Sequence, residues 1–106
     1  MQVLRFISTG KVQGVFYRKY ITQAMNKELI KGYIKNLSDG SVECVVENNS
    51  NLDINKILDI LYKGSPNSSV ESVEMKVENC DINFSSTFEV RYWNGKWMGM
   101  PIFNKI

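Results

Sequence analysis

Two stretches with helical spacing, each set between stretches that alternate like strands, constrain this chain more than any other feature of its sequence. Val3 to Ser8 reads as a short strand with Leu4 and Phe6 on one face. A break with two glycines, Gly10-Lys11-Val12-Gln13-Gly14, leads into a helix from Phe16 or Tyr17 to about Leu29. There Tyr17, Ile21, Ala24 and Met25 recur at spacings of three or four, and Arg18, Lys19, Lys27 and Glu28 fall off that stripe. Gly32 stands where a helix end predicts a turn or cap. Tyr33 to Leu37 and Ser41 to Glu47 are strand-like, and the Asp-Gly of Ser38-Asp39-Gly40 between them is a hairpin signal. After the polar Asn48-Asn49-Ser50-Asn51, the residues Ile54, Ile57, Leu58 and Leu61 predict a second amphipathic helix ending near Gly64. Val70 to Glu78, with Val73, Met75 and Val77 on one face, and Phe84 to Trp93, with Phe88 and Val90 inward, are the last strands. Strand–helix–strand twice over, joined by a hairpin, is the split βαβ plan. It predicts an α+β sandwich: one antiparallel sheet with two helices on one face.

Composition narrows the chemistry. At 106 residues the chain holds one domain, and 43% hydrophobic content can fill a core without metal or disulfides. A net charge of +2 is too balanced for a protein that grips a nucleic-acid backbone. No apolar run approaches the ~20 residues of a membrane span, and the start Met1-Gln2-Val3-Leu4-Arg5-Phe6 lacks the plan of a signal peptide. A soluble, cytoplasmic protein without membrane or nucleic-acid partners is expected. There is no histidine, which removes histidine triads and histidine general bases. Cys44 and Cys80 form no CxxC pair, so a structural zinc site is not expected. Free thiols are the expectation, a Cys44–Cys80 disulfide the alternative.

The loop before the first helix poses the chemical question. Glycines feeding a helix N-terminus can gather backbone N–H groups into an anion-sized nest, reinforced by the helix dipole. Arg18, one turn in, would set a bidentate cation beside it. A plain βα turn with a solvated arginine is the other reading of the same residues. A Walker loop is excluded, since Val15-Phe16-Tyr17 stand where it needs Gly, Lys and Ser or Thr; a GxGxxG fingerprint is also missing.

Gly10-Lys11-Val12-Gln13-Gly14-Val15-Phe16-Tyr17-Arg18 resembles the acylphosphatase signature G-x-V-Q-G-V-x-[FY]-R. Gly32-Tyr33-Ile34-Lys35-Asn36-Leu37-Ser38-Asp39-Gly40-Ser41-Val42 resembles that family's second signature, with Ile34 at a usually smaller position. Gly64-Ser65-Pro66 and Phe88-Glu89-Val90-Arg91-Tyr92 are also similar to the family, and Asn48 departs from it where a glycine is usual. The resemblance runs from about residue 3 to 92, which sets an acylphosphatase-like domain at 1–92 and a C-terminal extension at 93–106. It implies the ferredoxin-like form of the α+β sandwich and the hydrolysis of acyl phosphates without metal or other cofactor. The implied catalytic residues are Arg18, clamping the phosphoryl group, and Asn36, whose amide holds the attacking water. The backbone of Gln13, Gly14, Val15, Phe16, Tyr17 and Arg18 is the implied substrate-binding cradle. Inorganic phosphate is then product and inhibitor. Gly14 would shape the nest and Gly40 the hairpin; Lys11 and Lys35 could steer an anion, though plain solvated lysines are the simpler reading.

Other readings exist. A non-catalytic phosphate-binding module, or one that handles carbamoyl phosphate inside a larger protein, would share these features. An RNA-recognition module shares the plan, but Lys35-Asn36-Leu37-Ser38 lacks its stacking aromatics. In the extension, Trp93-Asn94-Gly95-Lys96-Trp97 carries a second hairpin signal. It predicts a short added edge strand that covers the bare sheet face. A monomer is expected, with a dimer contact through this extension as the alternative.

Overall fold

The alternating stretches become a five-stranded sheet, and the two helical stretches lie across one side of it. The computed structural model describes residues 1–92. The elements are β1 (Gln2–Lys11), α1 (Tyr17–Lys27), β2 (Gly32–Asn36), β3 (Val42–Glu47), α2 (Ile54–Lys63), β4 (Ser69–Asn79) and β5 (Phe88–Val90). The strand order is β4-β1-β3-β2-β5. The first four strands pair antiparallel, but β5 runs parallel to β2, so the sheet is mixed and not wholly antiparallel. No helix among the described residues is long and apolar enough to cross a membrane. The predicted edge strand at 93–106 lies outside the described residues.

One core fills the space between sheet and helices. Leu4 and Phe6 of β1, Val42, Cys44 and Val46 of β3, and Ile34 of β2 meet Tyr17, Ile21 and Met25 of α1 and Ile57 and Leu61 of α2. Met25 rather than Ala24 completes the buried stripe of α1. Asp53 caps α2, its carboxylate accepting from the Lys56 N–H. Cys44 is buried, Cys80 is partly exposed, and both are free thiols.

Three expectations change. The helix α1 ends at Lys27 with Glu28 as its C-cap, and the turn after it is made by Leu29 at a left-handed φ of 59° and not by Gly32. Gly32 instead opens β2, where an added Cβ would meet the Val45 carbonyl of β3; the glycine serves strand packing. The strand expected from Phe84 shrinks to Phe88–Val90. Before it the chain crosses the far face of the sheet, packing Cys80, Ile82 and Phe84 on Val3, Tyr33 and Val45. That crossing already covers part of the face assigned to the extension. Finally, Met75 and Val77 face the helix side but stay exposed, because β4 is the sheet edge and α2 covers it only towards Val70 and Val73.

Tyr17 is the polar pin of this core. Its buried hydroxyl donates to the Leu61 carbonyl of α2 at 2.7 Å and lies 3.0 Å from Ser8 Oγ of β1. Burial pushes its pKa up to about 12 from 10.0. A phenol with a raised folded-state pKa contributes fully below the unfolded value and loses that contribution as pH rises towards the folded one. Unfolding free energies from urea titrations should therefore fall between pH 10 and 12 by up to roughly 2–3 kcal/mol more in the wild type than in Tyr17→Phe. At neutral pH the variant should be less stable by about 1–2 kcal/mol, from the two groups left without their partner.

Candidate functional site

Parallel strands bring the site together. β1 and β2 both run antiparallel to β3, and β5 runs parallel to β2, so all three end on the same side of the sheet. From these ends come the loop before α1, Asn36, and Tyr92.

The loop has the backbone of an anion nest. Gly14 takes φ +75°, and Phe16, the N-cap of α1, takes φ 60° and ψ 21°. Left-handed residues alternating with ordinary ones turn successive N–H groups into a concavity. No side chain caps the helix start, and its first turn holds no acidic residue. Among the described residues, no loop, turn or cap hydrogen bond uses a backbone N–H between Gln13 and Lys19. The carbonyl side is anchored instead: Ser65 Oγ donates to Val15 O at 2.6 Å, and the Val12 and Val15 side chains are buried. The donors of this loop are therefore held in place and unspent.

Three side chains belong to this end of the sheet. Arg18 lies over the Tyr92 ring, its guanidinium carbon 5.2 Å from the ring centroid, and it has no ion-pair partner among the described residues. Asn36 ends β2 on the same face as the buried Ile34. Its Oδ1 is buried and has no hydrogen-bond partner among the described residues. Gln13 joins the two parts: its Nε2 donates to Leu37 O and to Ser41 O, each at 2.8 Å. That amide ties the loop to the residue next to Asn36.

A cavity of about 480 Å³ opens beside the loop, with Gln13, Gly14, Phe16, Arg18, Val90 and Tyr92 in its wall. Asn36 and Val15 lie outside this wall. Tyr17 lines it too, but its hydroxyl is spent in the core, so only its backbone faces the loop chemistry. Lys11 is exposed. Lys35 points to the far face of the sheet, 3.8 Å from Glu43, away from the site. Two participants were not assigned from sequence: the Gln13 side chain, and Tyr92, whose only signal was its place in a family-like stretch.

These elements define an α+β sandwich with a loop of unspent backbone amides at the start of its first helix. The Acylphosphatase family profile matches residues 4–90. The chain is 37% identical over 90 residues to an acylphosphatase of Borrelia garinii subsp. bavariensis, spanning 83% of this chain and 96% of that protein. The crystal structure of acylphosphatase from Bacillus subtilis superposes with a TM-score of 0.74 at 28% identity, over 87% of this chain and all of that one, a coverage of 100%. T. kodakarensis HypF superposes at 0.72 with 27% identity, over 86% of this chain but 12% of HypF. This chain belongs to the acylphosphatase family.

Removing the Gln13 amide should loosen the hairpin that carries Asn36. Gln13→Ala is expected to cost about 1–3 kcal/mol in stability. Amide exchange at Leu37 and Gly40 should rise more than at the centre of β3, as native-state hydrogen exchange would read.

Proposed function

We propose that the Gln13–Arg18 loop and Asn36 perform the reaction of this family on the chain's own substrate. Water attacks the phosphorus of an acyl phosphate, the bond from phosphorus to the acyl oxygen breaks, and a carboxylate and inorganic phosphate leave. The chain is thus a hydrolase of carboxyl–phosphate anhydrides. The observation that carries this reading is the row of unspent N–H groups at an uncapped helix start.

The division of labour follows from the chemistry. A carboxylate leaves readily because its conjugate acid has a pKa near ~4–5, so little acid assistance is needed. What the reaction needs is a held water and compensation for charge on the equatorial phosphoryl oxygens. The backbone N–H groups of Gln13, Gly14, Val15, Phe16, Tyr17 and Arg18 supply fixed dipoles for those oxygens. The Arg18 guanidinium clamps two of them; its rest against Tyr92 and its lack of an ion pair support that role. Asn36 orients the water. The unpartnered Oδ1 supports this, since a buried amide oxygen without a partner is costly unless a ligand or water completes it. The water's proton passes to a phosphoryl oxygen of the substrate, so no protein base is required. Inorganic phosphate, sharing the bound oxygens, inhibits by occupying the same nest. Two free thiols support a reducing, cytoplasmic setting.

Benzoyl phosphate hydrolysis in excess EDTA, followed by absorbance, tests this. Arg18→Ala and Asn36→Ala are each expected to lower kcat by on the order of 10²–10³ or more while remaining folded. Arg18→Ala should also weaken phosphate inhibition, and Asn36→Ala should leave it nearly unchanged. Carbamoyl phosphate, itself an acyl phosphate, belongs in the same assay: cleavage of it with no cleavage of benzoyl phosphate would favour the specialised module. A folded wild type with neither activity overturns the assignment.

A further inference from the structure

Phe16 is out of place as a helix cap. An N-cap favours Ser, Thr, Asp or Asn, and a left-handed φ favours glycine. Phe16 takes φ 60° and ψ 21° there, offers no side-chain cap, and leaves its ring 71% exposed. A bulky residue in that region is an outlier, and such outliers gather where ligands are held. The ring stands in the wall of the cavity of about 480 Å³ beside the loop, together with Val90 of β5 and Tyr92. From α1 come Arg18 and Thr22, one turn apart, and Lys19 and Gln23, likewise one turn apart. One turn beyond Thr22 is Asn26, whose side-chain amide accepts from the Phe88 N–H at 2.8 Å and donates to Phe88 O at 3.1 Å. That clamp holds α1 against β5, so the cavity is a groove of fixed width running from the loop between the two elements.

We propose that this groove receives the acyl group of the substrate, and that the chain selects acyl phosphates whose acyl group is bulky and apolar. The inference rests on the reading that the Gln13–Arg18 loop holds the phosphoryl group. The groove shares Gln13, Gly14, Phe16 and Arg18 with that loop, so the two are continuous. In phosphoryl transfer the attacking and leaving oxygens lie roughly in line across the phosphorus. Asn36, on the side of the water, is outside the groove wall, which leaves the groove for the acyl oxygen and what it carries. Size agrees: small-molecule pockets run from roughly 300 to 1,000 Å³, and a phosphoryl group alone fills little of this one. Among the described residues the wall contains no carboxylate, and its two cations are set against rings. The Arg18 guanidinium carbon lies 5.2 Å from the Tyr92 ring centroid, and Lys19 Nζ lies 6.0 Å from that of Phe16. Thr22 buries its hydroxyl oxygen. An acyl chain therefore meets two aromatic side chains and Val90, a surface that gains by covering apolar area.

Hydrolysis of acetyl and hexanoyl phosphate by the full chain, compared as kcat/KM, tests the assignment. Both release straight-chain carboxylates of nearly equal pKa, so a difference between them reports on binding and not on the leaving group. The wild type is expected to favour hexanoyl phosphate by about tenfold or more, chiefly through KM. Gln23→Trp places a large side chain in the groove from an exposed helical position and should reduce that preference to about twofold or less. Phe16→Gly removes one ring and should reduce it about threefold or more, while the melting temperature stays at or above that of wild type because the left-handed φ is no longer strained. Phe16 belongs to the loop, so the ratio of the two substrates, and not the absolute rate, is the readout. Equal kcat/KM for both substrates in the wild type overturns the acyl groove and leaves the hydrolase reading standing. A preference that neither Gln23→Trp nor Phe16→Gly alters does the same. A folded wild type that cleaves neither substrate overturns the hydrolase reading and this inference with it.

Discussion

The buried hydroxyl of Tyr17 joins the pieces on which the loop depends. Donating to Leu61 O and meeting Ser8 Oγ, it ties the first residue of α1 to α2 and to β1 at once. Its ring fills the core between them, and the backbone of Gly64 packs against that ring. The helix start cannot drift without breaking a buried hydrogen bond and opening a cavity, two of the larger local costs in a small domain. A loop preceding a helix is ordinarily the easiest part of a fold to move. Here it is pinned one residue beyond its last turn.

That pinning lets the loop keep a deficit. Polar backbone groups are nearly always satisfied within a fold, and the carbonyl side of this loop is, through Ser65 and Val15. The N–H side has no such partners among the described residues, and Phe16 sits in a left-handed conformation that a non-glycine residue adopts only at some expense. Strain and unspent donors at one turn need support from around it. Tyr17, Ser65, the Gln13 amide on the hairpin and the buried Val12 and Val15 supply it. The fold thus keeps a turn of oriented, unspent dipoles at the start of its first helix.

Much of this was legible in the sequence, because period and punctuation are local. Four of the strands and both helices follow from spacing, and the Gln13–Arg18 and Asn36 stretches from their motifs. What escaped was what depends on neighbours distant in the chain. Gly32 looks like a cap when read beside α1; only the approach of β3 gives its true reason. Phe84 alternates well with Phe88, but two apolar surfaces compete for it, and Val3, Tyr33 and Val45 on the far face win. Met75 and Val77 carry the pattern of a buried strand, and no pattern says that the helices end before reaching them. The Gln13 side chain was invisible for a similar reason: its acceptors lie 24 and 28 residues away.

The sheet's topology also explains why its two edges differ so much. Placing β5 parallel to β2 brings a third strand end to the side where β1 and β2 already finish. One short pairing of three residues is enough, since its task is to deliver Val90 and Tyr92 to the loop rather than to cover the sheet. At the other edge β4 runs for eleven residues, far beyond what its helix can shelter. The fold thus places its irregular, strained backbone at the end where the Gln13–Arg18 loop, Asn36 and Tyr92 gather. It leaves its most regular backbone at the far edge, where β4 pairs with β1 along its length.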